Sequence, residues 1–121
     1  PFYDQDKNLL VFSTDGRVGY GGLDFFSSEG DFGTWSTPVN MGKPLNSQKD
    51  DVYYTALDNT HPFAAGFISS DRESICCLEV FTVKRIKKVI SGLIIDCDVA
   101  GYCKKKNHQQ NDPGGRWQVH F

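Results

Sequence analysis

The sequence predicts an all-β chain, and three observations predict it. Short apolar or alternating runs recur along the 121 residues with almost no helical periodicity. Clusters of Gly, Asp, Asn, Ser and Pro separate them at strand-length intervals. Two of the runs also return, in order, about 55 residues further on.

In chain order, the expected strands are Leu9 to Ser13, Leu23 to Ser28, Trp35 to Asn40, Tyr53 to Leu57, Ala64 to Ser69, Leu78 to Lys84 and Val89 to Asp96. Each has the usual length of a strand. Between the first two lie Asp15-Gly16 and the Gly19 to Gly22 cluster, which permit positive φ. Glu29-Gly30-Asp31 then stands at hairpin spacing before Trp35, and Asp58-Asn59 stands in the same way before Ala64. This punctuation is that of tightly linked antiparallel strands.

Composition sets the limits. A hydrophobic fraction of 39% with 13% aromatics suffices for a core, so the chain reads as globular. No run approaches the roughly 18 apolar residues of a membrane span. The polar, acidic start from Pro1 to Asp6 is not a signal peptide. The chain opens in mid-pattern, so a fragment of a larger protein is expected. Charge is uneven: residues 1–83 carry 12 acidic against 5 basic side chains (net −7), and residues 84–121 carry 3 against 8 (net +5). Such a break marks a domain boundary or an appended tail near Val83.

Cys76, Cys77, Cys97 and Cys103 have no paired CxxC hooks, and adjacent Cys76 and Cys77 would face opposite sides of a strand, so no metal site is expected. Two readings stay open for Cys97 and Cys103: pairing across a short loop, or unpaired small hydrophobes.

The internal repeat joins Val11-Phe12-Ser13-Thr14-Asp15-Gly16 to Phe67-Ile68-Ser69-Ser70-Asp71-Arg72 at an offset of 56. It joins Leu23-Asp24-Phe25-Phe26-Ser27 to Leu78-Glu79-Val80-Phe81-Thr82 at an offset of 55. A period of this size built from short strands is the signature of a β-propeller, whose four-stranded units bury their faces against neighbours. The expected architecture is a partial propeller of about two blades.

The runs FSTDGRVGYGGLDFF (Phe12 to Phe26), WSTPVNMGKPLNS (Trp35 to Ser47), Asp50-Asp51 and GFISSDR (Gly66 to Arg72) resemble the WD40-like (PD40, TolB-like) β-propeller repeat, in the version found in Bacteroidetes OmpA-family envelope proteins. The resemblance spans about residues 8–84 and implies a set of structural motif positions: Asp15, Gly16, Gly22, Asp24, Trp35, Asn40, Gly42, Asn46, Asp51, Ser69, Asp71 and Arg72. In such a repeat Asp15 accepts backbone N–H bonds and Gly16 takes a conformation other residues avoid. The Trp35 ring packs between blades, and the segment bounded by Pro38 and Pro44 connects one blade to the next. Residues 1–84 are then the repeats, and residues 85–121 are a linker followed by a divergent tail or the start of a β-sandwich. The run Val89 to Asp96 resembles the first strand of a carboxypeptidase-regulatory-like sandwich.

Candidate sites are weighed on this frame. Asp24, Asp50 and Asp51 could line a channel or hold a cation, but carboxylates beside turns more commonly cap backbone donors. Asp31-Phe32-Gly33-Thr34-Trp35 approaches the Asp-box of sialidase propellers, one residue short, and that motif is itself a structural turn. Ser13, Ser69 and Ser70 lack a nucleophile elbow, and His61, His108 and His120 lack the context of a triad. The glycine cluster is not followed by a P-loop Lys-Ser/Thr pair. The basic runs Lys84-Arg85-Ile86-Lys87-Lys88 and Lys104-Lys105-Lys106 have no interleaved aromatics for base stacking, so a solvated face is expected and nucleic-acid binding is not.

The resemblance implies a non-catalytic interaction or scaffolding role in the cell envelope, periplasmic or outer-membrane-associated, with no cofactor. The implied partners are other proteins, the remaining propeller blades and, through the parent chain, peptidoglycan. The alternative is an accessory propeller of a peptidase or glycan-processing enzyme. Two repeats also leave open sheet edges, so poor stability or oligomerisation is expected of the chain alone.

Overall fold

The computed structural model describes residues 1–86, 88–90, 93–97, 103–106 and 116–121, with the side chains of 87–116 outside the description. It is all-β, with no helix among the described residues. The strands are β1 (Phe2–Asp4), β2 (Leu9–Thr14), β3 (Asp24–Asp31), β4 (Thr34–Trp35), β5 (Val39–Asn40), β6 (Asp51–Ala56), β7 (Ala65–Ser70), β8 (Glu79–Ile86), β9 (Lys88–Ile90), β10 (Leu93–Cys97), β11 (Cys103–Lys106) and β12 (Arg116–His120).

They form three antiparallel sheets. The first runs β1-β2-β3-β4, with β5 also pairing β3; the second runs β6-β7-β8-β12; a small third sheet runs β9-β10-β11. The first two sheets share one plan, in which four strands pair in the order in which the chain meets them. They differ in how the last strand arrives. In the first sheet, β4 follows β3 across a turn at Phe32-Gly33; in the second, β12 returns to β8 only after residues 87–115.

Register explains which side chains go inward. Cross-strand partners share a face, and neighbours along a strand alternate. In the first sheet Val11↔Ser27 and Ser13↔Phe25 lie on one face and Phe12↔Phe26 on the other. In the second, Ile68↔Phe81 and Gly66↔Val83 lie on one face and Phe67↔Thr82 and Ser69↔Val80 on the other. The core forms where the first face of each pair meets: Val11 and Phe25 pack with Tyr54, Ile68, Phe81, Val83 and Trp117. Met41 and Leu45, from the connection between the sheets, and Phe63, from the β6–β7 loop, complete it.

Several expectations shift in physical detail. The strand expected from Trp35 to Asn40 is broken into β4 and β5, as Pro38 has no N–H to donate to a ladder. Gly30 lies inside β3 and pairs Trp35, so the hairpin turn falls at Phe32-Gly33 and not at Glu29-Gly30-Asp31. Gly30 has φ of 146°, and a Cβ there would meet the Thr34 carbonyl oxygen at 2.1 Å. Cys76 and Cys77 precede β8 in a turn and are disulfide-bonded to each other, so the two-faces reading of a strand does not apply. The backbone register opposes Cys97 and Cys103 across β10 and β11; their side chains lie outside the described residues. The strand expected from Val89 to Asp96 is represented by β9 and β10, with Ser91 and Gly92 outside the description.

Candidate functional site

Of the sequence-flagged polar residues, Asp24, Asn40, Asn46, Asp51, Asp71 and Arg72 come together around the connection between the two main sheets, and they hold turns. Asp24 Oδ2 accepts the backbone N–H of Tyr20 and the side-chain amide of Asn40, while Asp50 Oδ1 accepts the N–H of Leu23 at 2.8 Å. Asn46 makes a paired contact with the β3 backbone: its Oδ1 accepts the N–H of Phe25 at 2.7 Å, and its Nδ2 donates to the Phe25 carbonyl at 2.9 Å. The same Nδ2 reaches Asn40 Oδ1, which also accepts the N–H of Gly42. Gly42 has φ of 73°, a conformation that glycine adopts freely.

Asp51 is the buried centre of a second group. Its Oδ2 accepts the N–H and hydroxyl of Ser47, and its Oδ1 accepts the Ser70 hydroxyl and the Arg72 guanidinium. Arg72 also donates to the carbonyls of Pro44 and Leu45, tying β7 to the connection between the sheets. Asp71 Oδ1 accepts the N–H of Asp50. These carboxylates are therefore occupied as caps, and no group of three or more potential metal ligands occurs among the described residues. Asp24 Oδ1 is the buried side-chain oxygen of this group that has no hydrogen-bond partner among the described residues.

Two motif expectations change here. At the Asp15 turn the acceptor is Thr14 Oγ1, which takes the N–H of Gly16, and Gly16 does not have positive φ. The Gly19 to Gly22 cluster is likewise required by crowding and not by φ. A Cβ on Gly19 would fall 1.8 Å from Asp24 Oδ2, one on Gly21 2.2 Å from the Lys49 carbonyl oxygen, and one on Gly22 2.1 Å from Asp50 Oδ1. Asp31 Oδ1 accepts the N–H of Gly33, a hairpin cap at the place where the Asp-box resemblance lies. Ser69 stands in β7 opposite Val80 with no capping role.

Trp35 does not pack between the sheets. It is 36% exposed and lies edge-on to the rings of Tyr3 and Phe32 on its own sheet. The indole that fills the core is Trp117, at 3%. The two occupy the same place in their sheets: Trp35 pairs Gly30 in β3, Trp117 pairs Arg85 in β8, and Gly30 and Arg85 stand at the repeat offset of 55. The signal in the sequence is a recurring G-x-W, Gly33-Thr34-Trp35 and Gly115-Arg116-Trp117. Its spacing of 82 hid it, because the second copy follows the insertion between β8 and β12.

A cleft of about 410 Å³ opens between β1 and β2 on one side and β6 on the other. Phe2, Val11, Phe12, Phe25 and Tyr53 line it, with the hydroxyls of Ser13 and Thr55. No carboxylate, histidine or lysine is among its lining residues, so it offers an apolar surface without a side-chain general base. Tyr53, 74% exposed, sits at the bulge of β6 with φ of 60°, a backbone conformation that costs a bulky residue energy. Neighbouring Tyr54 points the other way, into the core, where its hydroxyl donates to the Pro62 carbonyl at 2.6 Å. Burial pushes the Tyr54 phenol well above the ordinary tyrosine range, with Arg85 opposing weakly.

The remaining nucleophile and base candidates lie apart. His61 Nδ1 stands 3.1 Å from Thr60 Oγ1 and 3.4 Å from Asp58 Oδ2, in the exposed β6–β7 turn. Both contacts fall on one ring nitrogen, whereas a triad needs the hydroxyl and the carboxylate on opposite nitrogens. Hydrogen bonds from the Thr60 hydroxyl and backbone hold Asp58 below the usual carboxylate range. His120 reaches only Gln118, and His108 lies outside the described residues. In the first basic run Lys84 is exposed and Arg85 lies over the Trp117 ring; Lys87 lies outside the description. Lys104 to Lys106 lie in β11, with their side chains outside the description. No helix of the described residues is long and apolar enough to cross a membrane. Set against protein-family models, curated proteins and solved structures, the chain matches none.

Proposed function

We propose that the chain is a two-repeat β-propeller segment of a cell-envelope protein and that it serves as an interaction platform without catalysing a reaction. The observation that carries this reading is the common plan of the two main sheets. Each has four antiparallel strands paired in chain order, a fourth-strand tryptophan at the same register position, and a face packed on the other sheet. Repeated units that bury their faces on one another are how propellers and solenoids are built. The use of Asp24, Asp50 and Asp51 as turn caps supports binding over catalysis, as does the apolar lining of the cleft between β1 and β6. Other envelope proteins, and peptidoglycan through the parent chain, are the partners this reading assigns.

The test is a turnover panel of peptides and peptidoglycan-derived glycans, run with the wild-type chain and with Asp24→Ala and Asp50→Ala. No turnover is expected from any of them, together with co-sedimentation of the parent protein with envelope fractions. Hydrolysis by the wild type that either substitution abolishes would instead make the chain part of an enzyme.

A further inference from the structure

The repeat makes one comparison possible that a single sheet would not: the same position can be read twice, once with a neighbour and once without. Val11 and Phe25 of the first sheet are buried against the second. Their counterparts at offsets of 56 and 55 are Phe67 and Val80, which share the opposite face of the second sheet, 37% and 63% exposed. The same holds in reverse. Ile68, Phe81 and Trp117 are buried against the first sheet, and their counterparts Phe12, Phe26 and Trp35 lie on the other face of the first sheet, where Phe26 is already buried within the chain at 3% and Trp35 is 36% exposed. Tyr3 and Phe32 extend that face with a mutual ring cluster around Trp35, in which Phe32 is 86% exposed.

The exposed parts of the two outward faces thus repeat positions that make the interface already present inside the molecule. We propose that copies of this chain associate head to tail, the outward face of the second sheet of one copy, with Phe67 and Val80, seating on the outward face of the first sheet of the next, with Phe12, Trp35 and Phe32. This rests on the repeat reading above and adds the partner, a second copy, and the side chains that meet. The exposed apolar side chains Phe32, Trp35, Phe67 and Val80 favour such burial. Because the two surfaces differ, the contact is heterologous: it grows until a ring closes, or runs on as a filament.

The full-length 121-residue chain is to be followed by sedimentation equilibrium across a concentration series reaching the high-micromolar range. Two double variants are compared, Phe67→Lys with Val80→Lys, and Phe32→Lys with Trp35→Lys, each checked by circular dichroism for the wild-type melt. The wild type is expected at two or more times its 13.6 kDa mass. Each variant alone is expected to be monomeric. An equimolar mixture of the two is expected to give a dimer and nothing larger, because one intact face of each kind remains. A monomeric wild type, a variant that still self-associates, or a mixture that stays monomeric would overturn the proposal. If either variant loses its fold, the exposed single substitutions Val80→Lys and Phe32→Lys repeat the mixing test. A monomeric wild type leaves the non-catalytic reading intact, since that reading stands or falls on turnover.

Discussion

The Asp51–Arg72 pair shows how much the fold asks of single polar side chains. Asp51 is fully buried and accepts from Ser47, Ser70 and Arg72, while Arg72 links it to the carbonyls of Pro44 and Leu45. Arg72→Met would leave a buried carboxylate without its cation, which costs about 3–5 kcal/mol; urea unfolding is expected to read that loss. Tyr54 supplies a second prediction. Its phenol is held neutral in the folded chain, so its contribution to stability is complete below the unfolded value of 10.0 and falls as pH rises above it. Tyr54→Phe should cost about 1 kcal/mol at neutral pH through the lost bond to the Pro62 carbonyl. It should also flatten the alkaline limb of the stability curve, which melts from pH 8 upward will show. Residue chemistry was legible in part. That Asp24, Asp50 and Asp51 cap turns followed from their places beside Gly and Ser. That Gly19, Gly21 and Gly22 are fixed by crowding did not, because the atoms they avoid, on Asp24, Lys49 and Asp50, are brought close only by the packed turns.

At the scale of strands, alternation was readable wherever one face is buried. β2, β7 and β8 fall close to their expected bounds because Val11, Ile68 and Phe81 alternate with residues of the other face, and β3 does so although both its faces are buried from Asp24 to Ser28. β1 is only three residues long and β12 follows a basic, polar stretch, so neither carried a pattern of its own. β12 is nonetheless the fourth strand of the second sheet, and Trp117 is its anchor. Trp117→Ala should cost about 3–5 kcal/mol as a buried large-to-small change. Trp35→Ala, at the matching but half-open position, should cost clearly less in the same thermal melt. Equal losses would contradict the assigned burial of the two indoles.

For the whole molecule, one core shared by two sheets predicts one cooperative transition, since Tyr54, Phe81 and Trp117 cannot lose Val11 and Phe25 without losing the same contacts themselves. Calorimetry should therefore show a single peak for both sheets. Binding of a partner to the folded state alone stabilises it by mass action. If copies associate through their outward faces, the midpoint of that peak should rise with protein concentration, and the Phe67→Lys, Val80→Lys chain should lose the dependence.

The insertion between β8 and β12 gives the second sheet a different history from the first. β4 reaches β3 through a turn of two residues, whereas β12 must return across the 29 residues 87–115. For flexible segments this difference in chain closure amounts to about 2 kcal/mol of entropy, which the folded β9-β10-β11 sheet reduces by drawing its own strands together. The ladder between β8 and β12 is then expected to form after that between β7 and β8. Its amides, Trp117 to His120 among them, should exchange with deuterated solvent sooner than those of the β7–β8 ladder. The β8–β12 seam of the second sheet is then expected to open before the β7–β8 seam.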